Sequence, residues 1–336
     1  MIESNNPPLL HDYMELLRHY SLSHDEKANE QWKGQKQRQY WKSTEEEEEE
    51  EVPTIDLRGL TSEDKGEREA CEAAIAKASS EWGFFQVVNH GVSLELLRKM
   101  RREQVKLFSI SFERKASCGL LNNSYRWGNP TAASPSHFSW SEAFHVPLTK
   151  VSDPACYGEF TSLRKVMEEY AGAMQEVARV VAWVLARKLA GRETEMEDEK
   201  GREMFEKNCN ESTCFLRMNR YPVCPLSSSP YMSEIYGLVP HTDSDFLTIL
   251  HQDEHAWSND EYKSVEHKVT VNEKAERYSI AYFLCPSYDT VIESWKQPCV
   301  YGKFTFGEYR QQIQKDVNLY GHKLGLSRFL LQSTIN

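Results

Sequence analysis

The sequence predicts an α+β fold in which helices come first and a β-sandwich or barrel follows. Segments before residue 190 place apolar residues at steps of three and four, which indicates amphipathic helices. From residue 213 onward, short segments rich in β-branched and aromatic residues follow one another closely. With 336 residues, the chain is long enough for one large domain or two small ones.

The helical spacing places helices in the first part of the chain and one near its end, over residues 8–20, 66–80, 93–109, 160–190 and 306–320. Between the first two helices, residues 21–51 are polar and end in seven consecutive glutamates, 45–51, which predicts a solvated linker. A functional acidic tail is the alternative interpretation of this run.

Strands are predicted on both sides of the long helix. Residues 52–57 form a short strand, and residues 83–91 form a buried strand that a glycine turn closes. The later strands are predicted over residues 214–221, 236–240, 246–251, 262–271 and 278–284. The chain is thus divided into three parts, 1–51, 52–200 and 210–330, with the chemistry expected in the last one.

Composition excludes several classes of protein. Apolar residues make up 40% and charged residues 27%, which is typical of a globular protein. The net charge of −11 argues against nucleic-acid binding, and no apolar run is long enough to predict a membrane span or a leader peptide. The eight cysteines form no CxxC pair, so reduced thiols in a cytoplasmic protein are expected.

His241, Asp243 and His267 are the candidate metal ligands. Residues two apart on an extended segment point the same way, so His241 and Asp243 can reach one ion. His267 lies in a second strand-like segment and can supply another imidazole. Two histidines and one carboxylate that leave positions open are typical of non-haem iron(II) oxygenases.

Arg277 and Ser279 strengthen this interpretation. They share a face of a predicted strand ten residues after His267, and a guanidinium beside a hydroxyl suits a carboxylate such as the far end of 2-oxoglutarate. Tyr221 offers a third hydrogen bond. Considered alone, Arg277 would be interpreted as a surface arginine and Tyr221 as an aromatic residue of the core. The combination of these residues favours a site that binds 2-oxoglutarate.

These motifs resemble the plant iron(II)- and 2-oxoglutarate-dependent dioxygenases, and within them the gibberellin 2-oxidases that act on twenty-carbon gibberellins. The supporting stretches are residues 82–91, 218–222, 241–243, 266–267 and 277–279, with 124–131, 138–145, 282–287 and 320–323 for the narrower group. The resemblance implies a double-stranded β-helix (a jelly-roll, cupin-like core) flanked by helices, which makes 52–200 the helical dioxygenase region and 210–330 the β-core.

The resemblance also implies an activity. Iron(II) bound by His241, Asp243 and His267, 2-oxoglutarate held by Tyr221, Arg277, Ser279 and Asn219, and dioxygen would hydroxylate carbon 2 of a gibberellin and inactivate the hormone. Ascorbate is implied as the reductant. The expected partner is thus a small molecule, with no nucleic acid and no membrane, for a monomeric enzyme.

Arg126, flanked by Tyr125 and Trp127, is the candidate contact for the gibberellin substrate. Gibberellins are apolar ring systems with a carboxylate, which an arginine between two aromatic residues suits. A structural role for the Tyr-Arg-Trp group is the alternative.

The interval between Asp243 and His267 is shorter than the family pattern. Only 23 residues separate them, and the flanks match while the stretch between them lacks two family strands. We expect the smaller sheet to have lost those strands, which leaves an open edge beside the strand of the distal histidine. The metal-binding strands should still be neighbours.

Two alternatives stay open from the sequence. A truncated protein that folds poorly or binds without turnover is favoured by the missing strands. A related dioxygenase that acts on another plant metabolite is the other, against which the motif at 124–145 argues. His251 and His255 in the short connection are interpreted as loop histidines.

Overall fold

A computed structural model of the chain describes residues 7–25, 51–191, 195–225, 235–250, 265–271, 274–293, 299–320 and 323–331. Helices occupy mainly the first part and antiparallel strands the second, so the predicted α+β class is confirmed. The helices are α1 (Leu10–Asp25), α2 (Lys65–Glu81), α3 (Leu94–Phe108), α4 (Phe112–Ser117), α5 (Leu120–Asn123), α6 (Leu148–Val151), α7 (Thr161–Ala190), α8 (Glu195–Asn208) and α9 (Phe306–Tyr320).

The strands of the protein comprise an N-terminal pair followed by the strands of the core. They are β1 (Thr54–Asp56), β2 (Gln86–Val88), β3 (Arg126–Trp127), β4 (Glu142–Pro147), β5 (Phe215–Tyr221), β6 (Tyr236–His241), β7 (Leu247–Leu250), β8 (His267–Thr270), β9 (Arg277–Leu284), β10 (Val291–Ile292) and β11 (Phe304–Thr305).

Five strands form the larger sheet, in the order β3-β4-β5-β9-β7. All of its pairs are antiparallel, and β5 and β9 lie at its centre with partners on both sides. Because side chains alternate along a strand, one face of this sheet points to helices and the other to the interior of the β-core. We call these the helix face and the interior face.

The helix face packs against α3 and α7. The apolar residues there come from alternate positions of the central strands and are almost fully buried: Phe144, Val146, Leu216, Met218, Ile280 and Tyr282. The long helix α7 buries one stripe of residues against β7 and β9, as its three-and-four spacing predicts. Its end is set by Gly191, whose φ of 60° is a left-handed conformation that glycine adopts readily.

The smaller sheet consists of β6 and β8, paired antiparallel with two register shifts. It approaches the larger sheet closely at Gly237, where an added Cβ would lie 2.8 Å from Cδ1 of Tyr221. Glycine is thus required here by the contact between sheets. In the described parts of the chain, β8 has only β6 as a partner and β7 has only β9.

These open edges bear on the predicted loss of strands. The strands that carry His241 and His267 are neighbours, as expected for a core without the missing pair. The larger sheet also ends at β7 among the described residues, so the open edges fall on both sheets and not on the smaller one alone. Residues 251–264, including His251 and His255, lie outside the described residues.

The N-terminal predictions need two corrections. The first helix continues to Asp25, so the predicted linker is shorter at its start; residues 26–50, with most of the glutamate run, lie outside the described residues. The segment 83–91 is not a buried strand: only Gln86–Val88 is extended, and Val88 is 41% exposed. The reason is that, among the residues whose structure is described, β2 pairs with the three-residue β1 alone, in a two-stranded parallel sheet.

Helix α1 packs against the segment before β4. The Tyr13 ring stacks on Phe138 with centroids 4.0 Å apart, and the Tyr13 hydroxyl accepts a hydrogen bond from the backbone N–H of Asn129. Among the residues that the structure describes, no helix has the length and apolar character needed to cross a bilayer.

Candidate active site

Three predicted metal-binding side chains meet at the end of β6 and the start of β8. His241 is the last residue of β6, His267 is the first of β8, and the two are register partners. Asp243 follows β6 by two residues. The donor atoms of all three side chains lie within 4.8 Å of one another. The structure thus brings together the three residues that the sequence singled out.

Hydrogen bonds orient each of these groups. Nδ1 of His241 lies 2.8 Å from the carbonyl oxygen of Val239, and Nδ1 of His267 lies 3.1 Å from that of Val265. A ring nitrogen that donates to a carbonyl leaves Nε2 as the free donor for a metal. The Asp243 Oδ2 atom accepts a hydrogen bond of 2.6 Å from the Thr248 hydroxyl, which leaves Oδ1 for the centre.

The spacing of these atoms fits a metal ion. Nε2 of His241 and of His267 lie 3.7 and 3.9 Å from Asp243 Oδ1. Donors bound at about 2.1 Å to one ion can be at most about 4.2 Å apart, so both separations are compatible with one shared ion. Burial and the nearby His267 lower the pKa of His241 to about 4, so its imidazole is neutral and can act as a ligand. Two imidazoles and one carboxylate are the ligands that non-haem iron(II) takes.

Next to the metal cluster, the interior face of the larger sheet carries the predicted 2-oxoglutarate residues. Tyr221 and Arg277 are register partners, as are Asn219 and Ser279. Asn219 Nδ2 donates to the Ser279 hydroxyl at 3.1 Å. Burial raises the pKa of Tyr221, while the charge of Arg217 and a hydrogen bond with Ser279 oppose this effect. The Arg277 guanidinium lies 5.5 Å from the Tyr221 ring centroid.

This arrangement presents a cation beside two hydroxyls. Within the described residues, Arg277 makes no ion pair with a carboxylate, so its guanidinium is available to a ligand. A guanidinium and neighbouring hydroxyl groups match the far carboxylate of 2-oxoglutarate.

Gln104 of α3 holds the two central strands together from the helix side. Its side-chain amide donates to the carbonyl oxygens of Ser279, at 2.8 Å, and Asn219, at 3.2 Å. The side chain is only 1% exposed. The sequence alone does not single out Gln104, because a glutamine in a helix carries no signal of its long-range partner.

The Tyr-Arg-Trp group is divided between the two faces of the larger sheet. Arg126 pairs with Ala143 and lies on the interior face, where it is exposed. Tyr125 and Trp127 are each 7% exposed and pack on the helix side, where the Tyr125 hydroxyl donates to Glu142 Oε2 at 2.6 Å. Alternation along the strand turns Tyr125 and Trp127 away from Arg126, and a role of these residues at a substrate stays a prediction.

A charged network lies behind the sheet, on the helix face. Glu142 is fully buried and forms ion pairs with Lys115 at 2.7 Å and Arg220 at 2.8 Å. Arg220 also pairs with Glu276 at 2.8 Å. Burial lowers the pKa of Lys115, while Glu142 opposes this effect. These residues lie on the face of the sheet opposite the interior face, and we assign them to the framework of the sheet.

A cavity of about 180 Å³ opens beside the metal cluster, lined by Thr242, Asp243, Tyr309, Lys323 and Leu326 among others. Lys323 Nζ donates to the Ser244 hydroxyl at 2.8 Å, and burial lowers its pKa to about 8. The structure thus places a largely buried lysine next to the predicted iron site. In the sequence, Lys323 is visible only as part of the stretch 320–323.

Two protein families match separate parts of the chain. Residues 52–167 match the family described as non-haem dioxygenase in morphine synthesis N-terminal. Residues 254–286, which include His267, Arg277 and Ser279, match the 2OG-Fe(II) oxygenase superfamily. Gibberellin 2-beta-dioxygenase 6 of Oryza sativa subsp. japonica is 49% identical over 318 residues, which covers 85% of this chain and 87% of the relative.

The chain belongs to the 2-oxoglutarate- and iron(II)-dependent dioxygenases. A second similar protein is gibberellin 2-beta-dioxygenase 8 of Arabidopsis thaliana, 46% identical over 84% of this chain and 88% of the relative. Iron(II) and 2-oxoglutarate are the cofactor and co-substrate of this family. The alignment of 318 residues to the rice relative uses only 85% of a 336-residue chain, so it contains positions where this dioxygenase has no residue.

Solved structures agree on the fold. The crystal structure of JOX2 in complex with 2OG, Fe and JA matches this dioxygenase with a TM-score of 0.61 and 27% identity, over 77% of this chain and 84% of that one. The dioxygenase for auxin oxidation in rice matches with a TM-score of 0.59 over 84% of this chain and 100% of that one, at 23% identity. The predicted jelly-roll architecture is thereby confirmed.

Proposed function

We propose that this dioxygenase is a gibberellin 2-beta-dioxygenase that hydroxylates carbon 2 of twenty-carbon gibberellins. The observation that carries the proposal is the 49% identity to the rice gibberellin 2-beta-dioxygenase over most of both chains. The metal-binding cluster and the cationic end of the interior face support it, because they suit an iron(II) ion and a 2-oxoglutarate molecule side by side.

In this proposal His241, Asp243 and His267 hold iron(II), and Arg277, Ser279, Tyr221 and Asn219 hold 2-oxoglutarate. Iron, 2-oxoglutarate and dioxygen together supply the oxidising chemistry, and ascorbate keeps the iron reduced. The task of the chain is to bind and orient. Thr248 fixes Asp243, the carbonyls of Val239 and Val265 fix the imidazoles, and the Asn219–Ser279 hydrogen bond fixes the hydroxyl that faces the carboxylate.

The proposal includes a cytoplasmic location and a monomeric state. All eight cysteines have free thiols, as expected in a reducing compartment. Analytical ultracentrifugation of the purified chain measures its mass in solution and so tests the monomeric state.

Product analysis tests the activity. The full chain with iron(II), 2-oxoglutarate and ascorbate is incubated with a panel of twenty- and nineteen-carbon gibberellins, and the products are identified by mass spectrometry. We expect one added oxygen at carbon 2 and one succinate per turnover. Oxidation at another carbon, or turnover of a different class of plant metabolite alone, would contradict the proposal.

The short connection between β7 and β8 favours one second candidate, a protein that binds its ligands without turnover. Thermal unfolding with and without manganese(II) plus 2-oxoglutarate separates the two candidates. At about 100 times the dissociation constant, these ligands should stabilise the fold by about 2.7 kcal/mol. A shift without any gibberellin product identifies the non-catalytic candidate, whereas an absent shift indicates that the site does not bind.

A further inference from the structure

The loop of residues 242–246 joins the two sheets and carries Asp243. It leaves β6 in the smaller sheet and enters β7 in the larger one, so it crosses from one sheet to the other. At its far end, the backbone N–H of Phe246 donates to the carbonyl oxygen of Leu284 at 3.0 Å. We call this segment the Asp243 loop. The position of the Asp243 carboxylate relative to the two imidazoles depends on how this loop is held.

The C-terminal part of the chain contacts the Asp243 loop at two successive residues. Asp245 is 5% exposed, and its Oδ1 atom accepts a hydrogen bond from Nη1 of Arg310, in α9, at 3.2 Å. The thiol of Cys285, directly after β9, donates to the same oxygen at 3.2 Å. The Ser244 hydroxyl accepts a hydrogen bond from Nζ of Lys323 at 2.8 Å. Two cationic side chains from the C-terminal segment therefore bind the loop beside the proposed metal ligand.

The contact at Asp245 supplements the hydrogen bonds that orient the proposed ligands. The Thr248 hydroxyl and two backbone carbonyls set the direction of the carboxylate and of the imidazoles. They do not fix the backbone of the Asp243 loop, and β6 pairs with β8 through two register shifts. Burial of a carboxylate is unfavourable unless a cation accompanies it, so Asp245 keeps its position only together with Arg310. Loss of Arg310 should thus move the loop.

A second ion pair of the C-terminal segment provides a comparison. Asp316 of α9 pairs with Arg328 at 2.9 Å, and their side chains are 2% and 36% exposed. The corresponding values for Asp245 and Arg310 are 5% and 35%. Both pairs bury one carboxylate beneath a partly exposed guanidinium. They differ in what they connect, because one lies within the C-terminal segment and the other joins this segment to the Asp243 loop.

We propose that Arg310 is a positioning residue of the metal centre. Through Asp245 it holds the loop so that the Asp243 carboxylate stays within reach of an ion bound by His241 and His267. This inference rests on the proposed iron site and goes beyond it, because it makes metal binding depend on the C-terminal helix α9. Groups that orient metal ligands from behind typically change metal affinity about ten- to a hundredfold.

Calorimetry with manganese(II) on the full chain, below the unfolding temperature of each variant, tests the proposal. We expect Arg310→Met to weaken manganese affinity about ten- to a hundredfold, and Arg310→Lys to recover part of it because lysine keeps the charge. The visible spectrum of the cobalt(II)-loaded chain reports the geometry of the ligands around the ion. It should change in Arg310→Met and return towards the wild-type spectrum in Arg310→Lys.

A double variant tests whether the two groups act as one pair. Asp245→Asn should weaken manganese affinity to a similar extent as Arg310→Met, and the combination of both changes should weaken it no further. Additive losses would show that the two residues act separately and would overturn the proposal. If Arg310→Met does not fold, Asp245→Asn and Arg310→Lys decide by the same measurements.

Arg328→Met is the matched control. It removes the comparable ion pair with Asp316, so it should lower thermal stability about as much as Arg310→Met but leave manganese affinity and the cobalt spectrum unchanged. Equal losses of manganese affinity in both variants, or unchanged affinity in Arg310→Met, overturn the proposal. If the wild-type chain itself binds no manganese, the proposed iron site fails, and this measurement separates that failure from a failure of the positioning role.

Discussion

The two sheets of the β-core contribute the two ends of the candidate site. They differ in how many neighbouring strands support the site residues and in how exposed those residues are. In the larger sheet, the proposed 2-oxoglutarate residues lie on β5 and β9, which have partners on both sides and a buried glutamine behind them. In the smaller sheet, His241 and His267 lie on a strand pair with two register shifts, and their side chains are 26% and 21% exposed. The metal end therefore depends on local hydrogen bonds, whereas the co-substrate end depends on the core.

This difference indicates which end of the site a loss of strands should weaken first. Strands without neighbours on one side have backbone groups that only water or another segment can satisfy. The smaller sheet has such an edge within the described part of the chain, and it carries two of the three proposed metal ligands. We expect weakened iron affinity before any loss of 2-oxoglutarate recognition.

The largest effect should come from Asp243→Ala at the metal end. The change removes the carboxylate of the cluster and leaves two imidazoles, so manganese affinity should fall by at least about 100-fold and turnover should be lost. Calorimetry with manganese and a succinate assay measure the two effects. Thr248→Val keeps the carboxylate but removes its 2.6 Å hydrogen bond, and should weaken the metal about tenfold. Unchanged manganese affinity in Asp243→Ala would show that another group binds the ion.

Lys115→Met tests the framework behind the larger sheet. The substitution leaves Glu142 buried with one fewer cation, so the free energy of unfolding should fall by about 3–5 kcal/mol. Urea denaturation measures the change, and the folded fraction should keep its manganese affinity. Lys65→Ala, which removes an exposed ion pair with Glu69, is the control and should change stability by less than about 0.5 kcal/mol. Equal effects of both variants would contradict the framework role of Lys115.

Gly237→Ala tests the contact between the sheets. The added methyl group meets Tyr221 at 2.8 Å and must displace β6 or the ring, at a cost of about 1–3 kcal/mol in unfolding free energy. Gly172→Ala is the matched control: it lies within α7, nothing approaches its Cβ position, and the change should stabilise the helix by up to about 1 kcal/mol. Thermal unfolding compares the two. A neutral Gly237→Ala would mean that the sheets can separate freely.

Gln104→Met should have the smallest effect and should act on the co-substrate end. It preserves the shape of the side chain but removes two buried hydrogen bonds to the central strands, for a loss of about 1–2 kcal/mol. Titration of 2-oxoglutarate into the manganese-loaded chain should show a weaker affinity, with manganese binding itself unchanged. If manganese affinity falls instead, the two ends of the site are more strongly coupled than the sheet arrangement indicates.

Much of the framework could be predicted because periodicity is local. The long helix, the strand around Asn219 and Tyr221, and the strand of Arg277 and Ser279 lie within a few residues of their predicted bounds. Strand β4 was not predicted as a strand, since its residues carry no clean alternation between apolar and polar positions. Strand β2 was expected to be buried because its residues are apolar, but a two-stranded sheet covers little of it.

For the candidate site, too, the sequence predicted what depends on local spacing and missed what depends on distant partners. The two-residue spacings of His241 with Asp243 and of Arg277 with Ser279 are visible in the sequence, because alternation on a strand fixes which side chains share a face. The roles of Thr248 and Gln104 depend on partners that are 5, 115 or 175 residues away, and only the folded chain shows these.

The fold class, the order of the elements and the residue types of the proposed metal and carboxylate sites follow from the sequence alone. Tertiary structure decided which strands became neighbours, so that His241 and His267 became register partners although 25 residues lie between them. It also decided that Arg220 of β5 pairs with two carboxylates on the helix face, those of Glu142 and Glu276. The physical reason is that local periodicity sets the direction of a side chain, whereas its partners depend on which distant segments pack against it.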